Sequence, residues 1–467
     1  MTTPIDGGND PFPRISTGNP QADLVLGGGL PTNSINIVMG QPGTGKTVFA
    51  EQLLFHNAAA GRPIVYVSTL SEPMSKMVSY VQRFSYFDET KLGTEILYDD
   101  IGPLLASDGP AALVPWMSAL IKRLSPKLIV IDSFRAIHDL ATSLPETRRM
   151  VSDLAGLLSA YDVTVLLLGE YTMEDIDRYP EFAVSDSVIQ LARQTLGTRD
   201  ERYLRVLKLR GSAYREGQHA FRITSDGIQL FPRLISPRVA TTYTPRLERT
   251  SMGVPGLDGM LEGGVWGGTT TLVVGPTGSG KTTVAMHFAV EGIARGESTL
   301  YVNFQENPAQ LARAFANLGV DLSIAPNNGL ELMYVSPVEL QIDSIVVGIF
   351  ERIKNGTIRR VIIDAVGDLV SAASDTQRLH DYLYSLVQHF AVNDVTSLLT
   401  FESGISADGS LSATEQRFSY MSDNVLAIGL GGDERTRRTI RVIKTRNSGH
   451  DPVVRQLEIT SAGARVS

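Results

Sequence analysis

Residues Gly40–Thr47 read GQPGTGKT, and 235 residues later Gly275–Thr282 read GPTGSGKT. Each stretch follows a short apolar run, SINIVMG or TTTLVVG, that has the character of a buried strand. Each precedes a run, TVFAEQLLFHNAA or TTVAMHFAVEGIA, whose apolar residues recur at i, i+3 and i+4 and so predict a helix. A strand, then G-x-x-x-x-G-K-[ST], then a helix is the arrangement that turns backbone N–H groups toward phosphate oxygens. In the two loops Gly43, Thr44 and Gly45, and Thr277, Gly278, Ser279, Gly280 and Thr283, are expected to form the cradle. Lys46 and Lys281 would reach the β- and γ-phosphates, and the Thr47 and Thr282 hydroxyls would hold Mg²⁺. One such loop could be an incidental glycine turn; two in the same context make that reading untenable.

Working outward, other landmarks repeat in the same order. LIVIDS, with Asp132, returns as VIIDAV, with Asp364; VSDSV at Asp186 returns as MSDNV at Asp423; KLRGS from Lys208 returns as KTRNS from Lys444. The offsets stay between 232 and 237 residues. The chain is a tandem duplication. The Pro-, Thr- and Arg-rich segment Phe231–Thr250 has no periodicity and reads as a linker, which places a domain boundary near Val239, with domains 1–238 and 239–467. Within each half, near-continuous apolar strands such as PIVYVST, KLIVID and VTVLLLG alternate with helical patterns. That combination calls for an α/β fold with a mostly parallel twisted sheet covered by helices on both faces. RYLRVLKLR and TIRVIKTR alternate polar and apolar residues, as antiparallel edge strands do.

Composition narrows the function classes. The 467 residues include no cysteine, which excludes disulfides, thiolate zinc sites and cysteine nucleophiles. The formal charge of −8 argues against a nucleic-acid binder. No apolar run approaches the roughly 20 residues of a membrane helix, and the start MTTPIDGGNDPFPR lacks a secretory layout, so a cytoplasmic protein is expected.

Asp132 and Asp364 each close an apolar strand, where a carboxylate can support Mg²⁺. Aligning Pro73 with Pro308 sets TLSEP beside FQENP. Glu306 then faces Ser71, while Glu72 faces Asn307; both glutamates are candidate general bases, and the halves differ at this position. Lys208 and Arg210, like Lys444 and Arg446, are two residues apart on predicted strands and share a face. Such pairs could neutralise phosphate charge from a neighbouring subunit, and Arg202 and Arg438, six residues earlier, are expected to face the same way.

These residues resemble the KaiC-like family of hexameric circadian-clock ATPases and autokinases. The resemblance runs from ISTGNP at Ile15 to VVRQLEIT at Thr460, with FRITSDGIQLFP (Phe221–Pro232) and RVIKTRNSGHD (Arg441–Asp451) among its matches. It implies two RecA-like P-loop NTPase domains in a homohexamer, with ATP and Mg²⁺ held between subunits. Lys208, Leu209, Arg210 and Ser212, and Lys444, Thr445, Arg446, Ser448 and His450, would then meet the nucleotide of the next subunit. The family's first domain hydrolyses ATP slowly and its second phosphorylates its own hydroxyls, which maps here to Ser419 and Tyr420, with Thr414 nearby. The family's paired glutamates are here Leu70–Ser71 and Gln305–Glu306, Tyr420 stands where threonine is usual, and the tail that recruits the partner KaiA is not expected. A nucleotide-sensing scaffold that signals to a protein partner, and a nucleic-acid-dependent motor, are the alternatives.

Overall fold

The computed structural model describes residues 13–69, 74–141, 143–196, 199–237, 239, 243–322, 329–337, 340–355, 358–372, 376–402, 418–431 and 437–467. The chain divides into two units at Arg233/Leu234. The start of the linker belongs with the second unit: the Leu234 amide donates to the Tyr382 hydroxyl at 3.1 Å, and the His389 ring meets the Ile235 carbonyl at 2.8 Å. Absence of periodicity marked the connecting segment but could not say which half it packs against.

Each unit is built on a nine-stranded sheet. In the first, the order across the sheet is Ile96–Asp100, Ile64–Ser68, Leu128–Asp132, Thr164–Gly169, Ile35–Met39 and Ser187–Leu196, all parallel. Arg199–Leu209, His219–Thr224 and Gly227–Phe231 then continue the sheet antiparallel. The second unit repeats this strand for strand: Leu330–Tyr334, Ser298–Asn303, Ile358–Asp364, Thr396–Glu402, Thr270–Gly275 and Asn424–Gly431 are parallel. Arg437–Thr445, Arg455–Thr460 and Gly463–Val466 follow antiparallel.

The apolar strands behave as both-face-buried strands must. Ile35–Met39 and Ile64–Ser68 are buried at every position. Alternate residues feed two cores: Val38, Tyr66, Val130 and Leu166 meet Phe49, Leu53 and Leu54 on one side, and Ile37, Val65, Ile129 and Val165 meet Met117, Leu154 and Leu158 on the other. The helices that follow the glycine loops, Lys46–Asn57 and Lys281–Ala294, bury half or more of their residues, as helices pressed onto a sheet must. Among the described residues no helix is long and apolar enough to cross a membrane.

Candidate functional site

Parallel strands send all their C-terminal ends to one edge of the sheet, and chemistry on such folds gathers there. The glycine loops leave that edge from the strands Ile35–Met39 and Thr270–Gly275. Gly45 and Gly280 cap the following helices in the left-handed region, at φ 102° and 107°. A Cβ there would strike Ile223 or Ile459, so both the turn and its packing require glycine. Around Gly43 and Gly278, by contrast, a Cβ would meet nothing, which leaves the mouth of each loop open.

The loop lysines are held ready rather than free. Lys46 Nζ donates to the Gly40 and Gln41 carbonyls at 2.9 and 3.1 Å, and Lys281 Nζ to those of Gly275 and Pro276 at 2.8 and 2.9 Å. Burial lowers both lysine pKa values, against the charges of Glu170 and Asp132 in the first half and of Glu402 and Asp364 in the second. Thr44 donates to the Gln41 carbonyl at 2.8 Å, whereas the buried Ser279 Oγ has no hydrogen-bond partner among the described residues.

Asp132 and Asp364 stand where expected, but their partners differ. Asp132 accepts from Thr47 at 3.1 Å and from the Tyr66 hydroxyl at 2.5 Å. Asp364 accepts from the Tyr301 hydroxyl at 2.8 Å and from Thr400 at 2.5 Å. A glycine cradle, a helix N-terminus, a lysine and a strand-end aspartate fit a nucleoside triphosphate with Mg²⁺. Thr47 with Asp132, and Thr282 with Asp364, would hold the metal.

Glu306 is half-buried, and its Oε2 is buried without a hydrogen-bond partner among the described residues. Burial first, then the Asp364 charge, raises its pKa above the usual glutamate range. A carboxylate so tuned is a stronger base than a solvated one. Gln305, beside it, donates to Asp368 at 2.9 Å. Glu72 and Thr414 lie outside the described residues.

The cation pairs lie elsewhere. The Arg210 amide donates to Asp186 O at 2.8 Å and the Asp186 amide to Ile35 O at 2.7 Å, level with the start of the P-loop strand. The loop leaves that five-residue strand at its other end, about 16 Å away. Arg446, Asp423 and Thr270 repeat the arrangement at 2.9 and 2.9 Å. Each pair is therefore on the opposite edge of the sheet from its own P-loop. Lys208 Nζ donates to the Phe182 and Ala183 carbonyls at 2.9 and 3.4 Å, and Arg210 to Ala183 O at 3.1 Å. In the second half Lys444 donates to Ser419 O and Ser422 O, both at 2.7 Å, and Arg446 to Tyr420 O at 2.7 Å. Burial and the neighbouring arginine lower the pKa of each lysine.

Arg438 does not share that edge. It reaches its own loop, donating to the Gly278 carbonyl at 3.3 Å, because six residues along a strand carry it about 20 Å back toward the P-loop end. Arg202, on the matching strand, has a buried Nε with no hydrogen-bond partner among the described residues. Thr445 bonds Ser448 O and the His450 ring at 2.7 and 3.1 Å, and Ser448 accepts from Arg249 at 2.8 Å, closing the turn after the pair. In the first half Leu209 is buried and Ser212 donates to Ala213 O at 3.2 Å.

Four residues at these sites belong to no motif: Glu170 and Glu402 beside the loop lysines, and Tyr66 and Tyr301 on the aspartates. A signal existed for the glutamates. LLLGE and LLTFE end at the same 232-residue offset as Asp132 and Asp364.

Two such sites on two RecA-like sheets define a tandem P-loop nucleotide-binding protein. Comparison with known proteins narrows the class. The family model described as the KaiC ATPase matches residues 15–235 and 250–467, and the chain belongs to that family. It is 29% identical over 466 residues to the circadian clock oscillator protein KaiC of Picosynechococcus sp., covering 95% of this chain and 87% of that one. The KaiC of Thermostichus vulcanus is 28% identical over 100% of this chain and 91% of its own length. KaiC 1 of Synechocystis sp. is 27% identical, with 94% and 86% covered.

Proposed function

We propose that the chain is a ring-forming cytoplasmic ATPase, a homohexamer that binds ATP between subunits, hydrolyses it slowly and signals its nucleotide state to a protein partner. The placement of Lys208/Arg210 and Lys444/Arg446 carries this reading. A pair on the opposite edge from its own P-loop cannot reach that loop's phosphates, and a closed head-to-tail ring would bring it to the matching P-loop of the next subunit at every interface. Mg²⁺, when bound, would offset phosphate charge. In the second half Glu306 takes a proton from water as its oxygen bonds the γ-phosphorus, the γ-phosphorus–oxygen bond to ADP breaks, and the cation pair of the next subunit balances the charge that develops.

The same geometry supports phosphorylation of the chain by itself. Ser419 lies on a helical turn over residues 418–421, and that turn is gripped by Lys444 and Arg446. It therefore sits on the edge that faces the neighbour's P-loop. Ser419 would replace water as the acceptor, its proton passing to the neighbour's Glu306. Tyr420 is 73% exposed beside it.

ADP release by the Lys46→Ala and Lys281→Ala variants tests hydrolysis: each should silence its own half, and the double variant should fall below roughly 1% of the parent. Unchanged turnover in the double variant contradicts the reading. Intact mass after incubation with Mg·ATP tests the transfer, which adds about 80 Da that Ser419→Ala abolishes.

A further inference from the structure

The turn that holds Lys208 and Arg210 is itself clamped from below. Glu181 opens the helical turn Glu181–Val184, whose Phe182 and Ala183 carbonyls accept from the two cations, the Phe182 carbonyl also from the Ser185 hydroxyl at 3.1 Å. Its carboxylate receives the Tyr171 hydroxyl at 2.5 Å and meets His138 Nε2 at 2.8 Å on the same oxygen. The His138 and Glu181 side chains are only 5% and 1% exposed. Tyr179 packs on the His138 ring at 4.5 Å between centroids, and Arg135 lies over Tyr179. His138 belongs to the helix Phe134–Leu140, which starts two residues after Asp132.

A buried carboxylate is costly unless its partners are well made, and a hydrophobic replacement often stabilises. The second half shows that replacement: Phe418 stands for Glu181 and Val370 for His138, and Phe418 packs on Phe401 at 4.8 Å. The fold therefore stands without the polar clamp, so its presence in one half calls for a reason other than stability.

We propose that Glu181, held by His138 and Tyr171, is a positioning residue that aims Lys208 and Arg210 at the neighbouring subunit's phosphates. Because His138 rides on the helix after Asp132, the clamp links the nucleotide site of one subunit to the cations it presents to the next. The inference rests on the trans placement proposed above. Movement of the Asp132 strand end would pass through the His138 ring to the Phe182 and Ala183 carbonyls, and so to the cation pair.

The test uses the full chain carrying Lys281→Ala, with two readouts: ADP release, and amine labelling of Lys208. His138→Phe should lower kcat about tenfold with the KM for ATP little changed, the pattern of a misplaced transition-state contact. It should also raise Lys208 labelling. His138→Gln, which keeps a donor for Glu181, should restore both. In a Lys208→Ala/Arg210→Ala background His138→Phe should add no further loss, because its effect runs through that pair. Losses that multiply, an unchanged kcat, or unchanged Lys208 labelling would each overturn the inference. If the Lys281→Ala parent releases no ADP, hydrolysis by the first half is refuted, and Lys208 labelling alone decides for or against the clamp.

Discussion

The two halves of this chain share a strand order out to the last edge strand, yet their nucleotide sites are chemically unlike. In the first half a buried carboxyl on the P-loop helix itself, that of Glu51, receives the Tyr98 hydroxyl at 2.9 Å; the second half has Met286 there. Asp132 accepts from the loop threonine, whereas Asp364 accepts from Thr400, whose place in the first half is taken by Leu168. The turn that grips the cations is pinned by a Glu–His–Tyr cluster in one half and by a phenylalanine pair beside a serine in the other. The frame depends on apolar patterning that many sequences satisfy. The chemistry depends on single residues at strand ends, and duplication leaves those free to diverge.

The largest difference should appear at Glu306. In a Lys46→Ala background, where only the second half turns over, Glu306→Gln should cost 10²–10⁴-fold in ADP release, the range for losing a general base. With Glu306 intact, the rate should fall as pH drops through a range above that of an ordinary glutamate, because burial and Asp364 raise its pKa. A flat pH profile, or a loss under about threefold in the variant, would place the base elsewhere.

Glu51 should distinguish the halves by stability. Burial raises its pKa from 4.5 to about 8. The folded chain then keeps a proton that the unfolded chain releases, so the stability this group contributes is complete below pH 4.5 and is lost as pH rises toward about 8. Glu51→Gln, which carries no charge to bury, should stabilise the first unit by up to about 3 kcal/mol at pH 7, roughly 8 °C in Tm, with little gain at pH 4. An equal Tm shift at both pH values would contradict the assignment.

The smallest effect should come from making the second half resemble the first. Thr400→Leu removes one donor from Asp364 while Tyr301 remains, and should cost about 1 kcal/mol in thermal unfolding of the second unit. A loss above about 3 kcal/mol would mean that Thr400 carries more of the Asp364 environment than its single bond suggests.

Much of this was legible in the residues alone. The P-loops, the duplication, the parallel sheets and the strand-end aspartates follow from apolar runs and fixed spacings, which are local. What stayed hidden depends on which strand ends meet. Two-residue spacing put Lys208 with Arg210 on one face, but only the antiparallel pairing of Arg199–Leu209 with Ser187–Leu196 shows that they sit at the opposite edge from Gly40–Thr47. The same pairing in the second half carries Arg438 back to Gly278. Glu181 and His138 are 43 residues apart and carry no motif, so tertiary packing alone unites them. The linker divides at Leu234 because of Tyr382, a partner nearly 150 residues away.

Sites completed between subunits require that broken halves repair each other. One subunit would carry Lys46→Ala and Lys281→Ala; the other would carry Lys208→Ala, Arg210→Ala, Lys444→Ala and Arg446→Ala. Alone, each should release ADP at no more than roughly 1% of the parent rate. Mixed into common rings, they should recover roughly a quarter of the parent rate, since one interface in four then pairs an intact P-loop with an intact cation pair. Mixed rings that stay silent would show that each P-loop depends on cations of its own chain, contrary to the placement of Lys208, Arg210, Lys444 and Arg446.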